Sequence, residues 1–498
     1  MSKPGKRIAV SGRCASALLW IVAAAANSAT LRLSNEECPD VGSGRSAAHM
    51  DCGWLESQAV IGSVPVRLRV VVLRARPDAK DPMPVVYIPG GPGDPARLDG
   101  AGIARWRDWQ QRAGWPHDVV LFDPRGTGQS QPRISCRRRV GPDADSNGVP
   151  LRTAGDEFAG DVLRMAQCYR RLGATRAAAL GPAAQIADLS RLIDALKVSG
   201  VHLWSVSYGS RIAQLYARRH PSRVRSLVLD SMFPFGRDAL EVLPAQFGAA
   251  LDGLDAWCDA HSTECAAAPG RPSEQVAKLL ARYEEQPALL WDIGRMGRVA
   301  IRPITPYRLL SMVLLAGYTP GTRAETIRRL VRAGQGHTAA LGPLWQRMHA
   351  RVVDTAHSDA VFWSTRCAFT RSRDGSRRHW RAALQTYREL KPYLAAAGTI
   401  SVCDLWRMPD VGSGAGHGRL PAPTLVVSGL ADPATPPEWA RSFAAAHARA
   451  RWLAVADGGH GVTLTDGCVQ GAVAVFLDAP AAVLPACDGS SGNDHNGR

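Results

Sequence analysis
The chain has 498 residues, enough for one large domain carrying an insertion. Its 46% apolar content is ordinary for a water-soluble globule, and only one apolar run approaches membrane length. The net charge is +16, but no nucleic-acid motif or interleaved aromatics accompany Arg137-Arg138-Arg139 or the arginine-rich stretch 371–381. A solvated arginine-rich surface is the reading, with loose association to an anionic envelope polymer left open and no nucleic-acid partner expected.

Lys3, Lys6 and Arg7 precede an alanine-rich apolar run, Ala17 to Ala26, and then Asn27-Ser28-Ala29. This pattern predicts a signal peptide over 1–29, cleaved near Ala26 or Ala29. The run is too short to cross a bilayer comfortably, so no stable membrane insertion is expected. Val66 to Leu73 alternates like a strand. Val85-Val-Tyr-Ile88 reads as a buried strand that runs into Pro89-Gly90-Gly91-Pro92-Gly93. Asp118 to Phe122 is a further strand, ending in Asp123-Pro-Arg125-Gly126-Thr-Gly128-Gln-Ser130. No Gly-Lys-Ser/Thr follows either glycine cluster, which argues against a phosphate loop. Ile186, Leu189, Leu192, Ile193 and Leu196 share one face of a helix expected over 183–197. Val201 to Trp204 is a strand that enters Ser205-Val-Ser207-Tyr208-Gly209 and then a helix; Val224 to Asp230 is the next strand. From 232 to 418 the pattern turns to helices and loops, with helices expected over 240–258, 273–285, 306–316, 323–333 and 380–390. Residues 411–418 read as a flexible return linker. Strands resume over 424–432, ending at Asp432, and in the segment 450–460, which ends in Gly458-Gly459-His460. The final eleven residues, 488–498, are polar and read as a disordered tail.

Strand–helix alternation of this kind predicts an α/β class with a doubly wound, mostly parallel sheet. The turn around Ser207 has the form of a nucleophile elbow, which lifts one serine hydroxyl onto a tight bend at a helix head. A serine needs an imidazole to take its proton, and the imidazole needs a carboxylate to fix its tautomer. Asp432 and His460 follow strands in the order Ser, Asp, His that suits this elbow. Taken singly, His460 also reads as a loop histidine and Asp432 as a helix cap. The backbone N–H groups of Gly91 and Tyr208 are the candidate oxyanion donors. No His/Cys cluster has metal-ligand spacing, so neither metal nor cofactor is expected.

The GGPG, DxRGxGxS and SYG elements, with Leu229-Asp230, Asp432-Pro-Ala-Thr435-Pro436 and Gly459-His460-Gly461, resemble the proline iminopeptidase and tripeptidyl aminopeptidase group of serine peptidases. The resemblance covers about residues 50–487 and is strongest to the secreted, tripeptidyl-aminopeptidase-like branch. It implies an α/β-hydrolase fold with core segments 30–231 and 419–487 and a mainly helical cap, 232–418, inserted between core strands. Two positions depart from the group: Pro89 stands where histidine is usual, and Ser205 replaces the first elbow glycine.

Ten cysteines follow Cys14, an even number that suggests disulfides in an exported chain. The resemblance and their loop positions suggest sequential pairing, with Cys258–Cys265, Cys367–Cys403 and Cys468–Cys487 foremost. The resemblance also implies a secreted or periplasmic aminopeptidase acting on peptides with a free N-terminus. Asp238, Glu241, Asp252 and Asp255 are candidates to bind that ammonium, but each reads more readily as a solvated helix acid, and none is assigned. A carboxylesterase and a non-catalytic binding protein are the competing readings. The sequence leaves the oligomeric state open.

Overall fold
The computed structural model describes residues 30–34, 38–39, 50–75, 83–136, 153–235, 242–265, 270–293, 299–370, 373–395, 401–411 and 418–487. The expected signal peptide, the tail, most of the linker, Asp238 and Glu241 lie outside them.

Nine strands form the main sheet: β1 (Thr30–Ser34), β2 (Met50–Ile61), β3 (Val64–Leu73), β4 (Val85–Ile88), β5 (Val119–Phe122), β6 (Val201–Val206), β7 (Val224–Asp230), β10 (Thr424–Gly429) and β11 (Ala450–Val455). The spatial order is β1-β2-β3-β5-β4-β6-β7-β10-β11. β1, β2 and β3 run antiparallel, and β3 meets β5 antiparallel; from β5 to β11 every pair is parallel. Strands buried on both faces need apolar residues at every position. That is the composition of Val85-Val-Tyr-Ile88 and Val119-Val-Leu-Phe122, which are buried throughout. Alternate residues feed two separate cores. Val86, Ile88, Val120, Phe122, Leu203 and Leu229 face one. Val85, Tyr87, Val119, Leu121, Trp204 and Val206 face the other.

Helices flank the sheet on both sides. The helix expected over 183–197 spans Pro182–Ala195, and its apolar face enters the first core. Its Asp188 makes a bidentate ion pair with Arg125 of the glycine-rich turn, with Nε to Oδ2 at 2.6 Å and both side chains 2% exposed. The turn after β5 is thus bolted to this helix.

Between β7 and β10 the chain forms helices Leu243–Ala260, Pro272–Glu285, Pro306–Gly317, Arg323–Gly334, Gly342–Val352, Asp359–Ala368 and Arg373–Thr386, with shorter turns between them. Phe247, Leu251, Leu279, Leu309, Val313, Leu330 and Trp345 give this insert its own core. Three features differ from the sequence expectation. A two-stranded hairpin, β8 (Ala288–Ile293) and β9 (Val299–Ile304), stands among the helices. The helix expected over 380–390 is Arg373–Thr386, and the chain turns at Tyr387 (φ −107°, ψ 69°) into a short 3-10 turn. The Tyr387 ring presses on Gly248, where a Cβ would lie 2.0 Å from it, so packing on the Leu243–Ala260 helix ends the periodicity. Lastly, Ala360, Val361, Cys367, Val402 and Trp406 join the core of the main sheet, while Trp380, Leu384 and Leu394 between them stay in the insert's own core.

The described cysteines form five disulfides in sequential order: Cys38–Cys52, Cys136–Cys168, Cys258–Cys265, Cys367–Cys403 and Cys468–Cys487.

Candidate active site
β6 ends at Val206, and Ser207 follows with φ +56° before helix Gly209–Arg219 begins. A non-glycine residue in that conformation costs about 1–3 kcal/mol and persists only where its surroundings enforce it. Here the Ser207 N–H donates to the Asp230 carbonyl at 2.8 Å, and Ser210 caps the Ser207 carbonyl through its N–H and its hydroxyl. Gly209 is the steric condition for the bend. A Cβ there would lie 2.5 Å from the carbonyl oxygens of both Ile88 and Pro89, and neither backbone atom can yield cheaply. Gly209→Ala is therefore expected to destabilise the protein by about 3 kcal/mol and to lose most activity. Thermal unfolding and a turnover assay check this, and an unchanged melting midpoint would count against it. Ser205 fits in place of the usual glycine because its buried hydroxyl donates to the Val228 carbonyl at 3.3 Å.

The loop after β4 lies against this elbow. A Cβ at Gly90 would sit 3.0 Å from the Ser207 Cβ, and Gly91 has φ +108°. Tyr208 heads the elbow helix, which gives its N–H the electropositive end of a helix dipole. Beneath Tyr208 lies the buried Arg211 guanidinium, 4.6 Å from the Phe233 ring centre, 5.1 Å from Phe369 and 5.3 Å from Tyr208. It donates to the Pro234 carbonyl at 2.7 Å, tying the elbow helix to the segment that opens the insert.

Asp432 stands just past β10 and is buried. Its Oδ1 accepts from the N–H groups of Ala434 (2.8 Å) and Thr435 (3.1 Å), and its Oδ2 from the Thr435 hydroxyl (2.6 Å). The same Oδ2 is 2.8 Å from His460 Nδ1. His460 follows β11, and its N–H donates to the Tyr318 carbonyl at 3.1 Å. The Tyr318 ring covers the imidazole, with centroids 4.6 Å apart. Burial alone would push Asp432 up, but the His460 charge and hydrogen bonds hold its carboxyl below the usual range. Burial alone would push His460 down, and the Asp432 charge outweighs it and raises the imidazole. Each partner therefore stabilises the charged form of the other. The His460 loop packs against the end of β6, just before Ser207, since a Cβ at Gly461 would lie 3.4 Å from Val206 Cγ1. Among the described residues no hydrogen bond joins the Ser207 hydroxyl to His460. Such contacts commonly close only when substrate binds.

The insert contacts both halves of this arrangement. Tyr318 closes on the histidine loop so tightly that a Cβ at Gly459 would sit 2.3 Å from its carbonyl. The Gly93 carbonyl accepts from Ser358 N–H at 3.0 Å, and Asp94 Oδ1 is 2.8 Å from His357 Nδ1. Thr435 belongs to the Asp432 motif of the sequence and bonds Asp432 from three residues away, whereas Tyr318 and Ser358 carry no signal in the sequence, because each touches the site only across elements distant along the chain. Of the acids considered for an ammonium, Asp255 accepts from Ser273 N–H (2.9 Å) and hydroxyl (2.6 Å) and so caps the Pro272–Glu285 helix. Asp252 is pushed up by burial and by the neighbouring Asp255 and Glu389.

Comparison with known proteins fits this geometry. The family model of the α/β-hydrolase fold matches residues 83–264, and that of the TAP-like proteins matches 392–490, the segment holding Asp432 and His460. The chain is a hydrolase of the α/β-hydrolase fold, with a serine protease and an aminopeptidase among its relatives. Among relatives of this hydrolase, serine protease Hip1 of Mycobacterium tuberculosis is 26% identical over 377 residues, 71% of this chain and 70% of Hip1. Tripeptidyl aminopeptidase of Streptomyces lividans is 27% identical over 433 residues, 79% of this chain and 74% of that protein. The Escherichia coli hydrolase YuaR is 32% identical over 167 residues, a match that spans only 31% of YuaR and 34% of this chain.

Proposed function
We propose that this hydrolase is an extracytoplasmic serine aminopeptidase that releases short N-terminal fragments from peptides. The observation that carries the reading is the buried Asp432–His460 pair, 2.8 Å apart, held beside a serine on a strained elbow. Ser207 Oγ attacks the scissile carbonyl while His460 Nε2 takes its proton. Asp432 holds the Nδ1–H tautomer and stabilises the imidazolium. The N–H groups of Gly91 and Tyr208 receive the oxyanion. His460 then returns the proton to the leaving amine, and water attacks the acyl-enzyme by the same relay in reverse. The named activities of Hip1 and the tripeptidyl aminopeptidase favour a peptide over an ester. Five disulfides favour an oxidising compartment. The insert between β7 and β10 is read as a cap that closes one end of the cleft, because its Tyr318 and Ser358 touch the histidine and glycine loops.

A closed cleft that receives a charged amino terminus should reject an acetylated one. Free peptides are expected to be cleaved roughly 10- to 150-fold faster than the same peptides N-acetylated, the loss of one charge-assisted hydrogen bond. Amino-acid and tripeptide anilides, free and acetylated, measure this beside p-nitrophenyl esters. Equal rates on free and acetylated peptides would reject the aminopeptidase reading, and turnover of esters alone would make the protein a carboxylesterase.

A further inference from the structure
Asp230 ends β7 and is fully buried within the site's framework, yet the reaction above gives its side chain no part. Its backbone carbonyl receives the Ser207 N–H. Its carboxylate collects three hydrogen bonds. Oδ2 accepts from the Thr463 N–H at 2.8 Å and the Thr463 hydroxyl at 2.6 Å, and Oδ1 accepts from the Ser231 hydroxyl at 3.0 Å.

The direction of both hydroxyls follows from their other partners. Thr463 Oγ1 takes a hydrogen bond from Trp204 Nε1 at 3.0 Å, and an indole N–H can only donate. Ser231 Oγ takes one from the Gly461 N–H at 2.8 Å. Each hydroxyl accepts from a fixed donor and turns its own proton to Asp230. Both oxygens of Asp230 therefore face donors, and a carboxylic acid proton would have no acceptor among these partners. Ser231 adopts φ +49° to make this arrangement, a strained backbone adjoining a strained nucleophile.

Thr463 donates to Asp230 directly and Gly461 is held through Ser231, so the segment anchored on Asp230 is the one that begins at His460. We infer that Asp230 is a second, ionised carboxylate of the site, a positioning residue that anchors the His460 loop and adds its negative field to that of Asp432. The inference rests on the reading of His460 as the general base. The groups facing the imidazole are Asp432 and Thr435 from the β10 loop, Asp230 from β7, and Tyr318 and Arg351 from the insert. Arg351 opposes the positive charge, and the two carboxylates favour it. Burial pushes Asp230 itself up, against the Thr463 and Ser231 donors and the His460 charge, so its anion depends on those partners.

The sign of the effect is fixed. A general base works when neutral, so activity falls as pH drops through the His460 pKa. Removing the Asp230 charge lowers that pKa. In Asp230→Asn the acid limb of the kcat/KM–pH profile is expected about one pH unit lower than in wild type, whatever happens to the plateau. Thr463→Val, which removes one donor and so weakens the anion, should move the limb the same way by less, and Thr463→Ser should restore it. This pair decides the matter if Asp230→Asn does not fold. A lower plateau with an unmoved limb in the folded variants overturns the inference, because a merely structural residue would give that result. If a fluorophosphonate, which labels only an activated serine, does not modify Ser207 in wild type, the parent reading fails instead. If Ser207 is modified and the limbs of wild type and variants coincide, Asp230 alone fails.

Discussion
Ser207→Ala should leave the protein folded and lower turnover by on the order of 10⁴- to 10⁶-fold. Removal of a triad nucleophile leaves only oxyanion stabilisation and substrate binding. The fold should survive because the contacts that shape the elbow are made by backbone. The Ser207 N–H bonds the Asp230 carbonyl, and the Ser207 carbonyl accepts from Ser210. Alanine keeps both and suffers no more than serine at φ +56°. Turnover on a free peptide anilide, with a thermal melt beside it, measures the two halves of the expectation. A pure variant that keeps more than a few per cent of activity would remove Ser207 from the mechanism.

Reduction should unfold the protein at 37 °C. Each structural bridge contributes roughly 2–5 kcal/mol, against about 5–15 kcal/mol of total stability for a domain. Cys367–Cys403 and Cys136–Cys168 close the longest loops, 36 and 32 residues apart, and Cys136, Cys168 and Cys367 lie in the sheet's first core. Loss of these two alone would consume much of the margin. Cys258–Cys265 closes only 7 residues and should matter least. Thermal unfolding with and without reductant gives the magnitude. Thiol titration of the denatured, unreduced protein should find none of the ten cysteines from Cys38 to Cys487 free. Several free thiols would refute both the pairing and the oxidising compartment.

The sheet was legible because its strands lie buried on both faces and so carry unbroken apolar runs, as at 85–88 and 119–122. The elbow was legible because its bend demands small residues at fixed spacing, with Gly209 wedged against Ile88 and Pro89. Asp432 and His460 could be placed because each follows a strand directly, and the structure brings them together. The remaining features depend on contacts that no local pattern encodes. Tyr318 covers His460 from 142 positions away along the chain. Asp230 could be named as part of a motif, but its hydrogen bonds to Thr463 cross 233 positions. The β8–β9 hairpin was hidden by its setting among amphipathic helices, since six-residue apolar strands do not separate from short helices by periodicity. The packing of Ala360, Val361, Cys367, Val402 and Trp406 on the main core was equally silent, because an apolar face suits either core.

The most direct test of the mechanism is active-site labelling. A fluorophosphonate reacts only with a serine whose proton a base can take, so the modified residue reports the whole relay. The wild-type protein should be labelled once, and mass mapping should place the adduct on Ser207. Labelling should vanish in Ser207→Ala and slow by orders of magnitude in His460→Ala. No labelling of folded wild type, an adduct on another serine, or unchanged labelling in His460→Ala would contradict a Ser207–His460–Asp432 hydrolase.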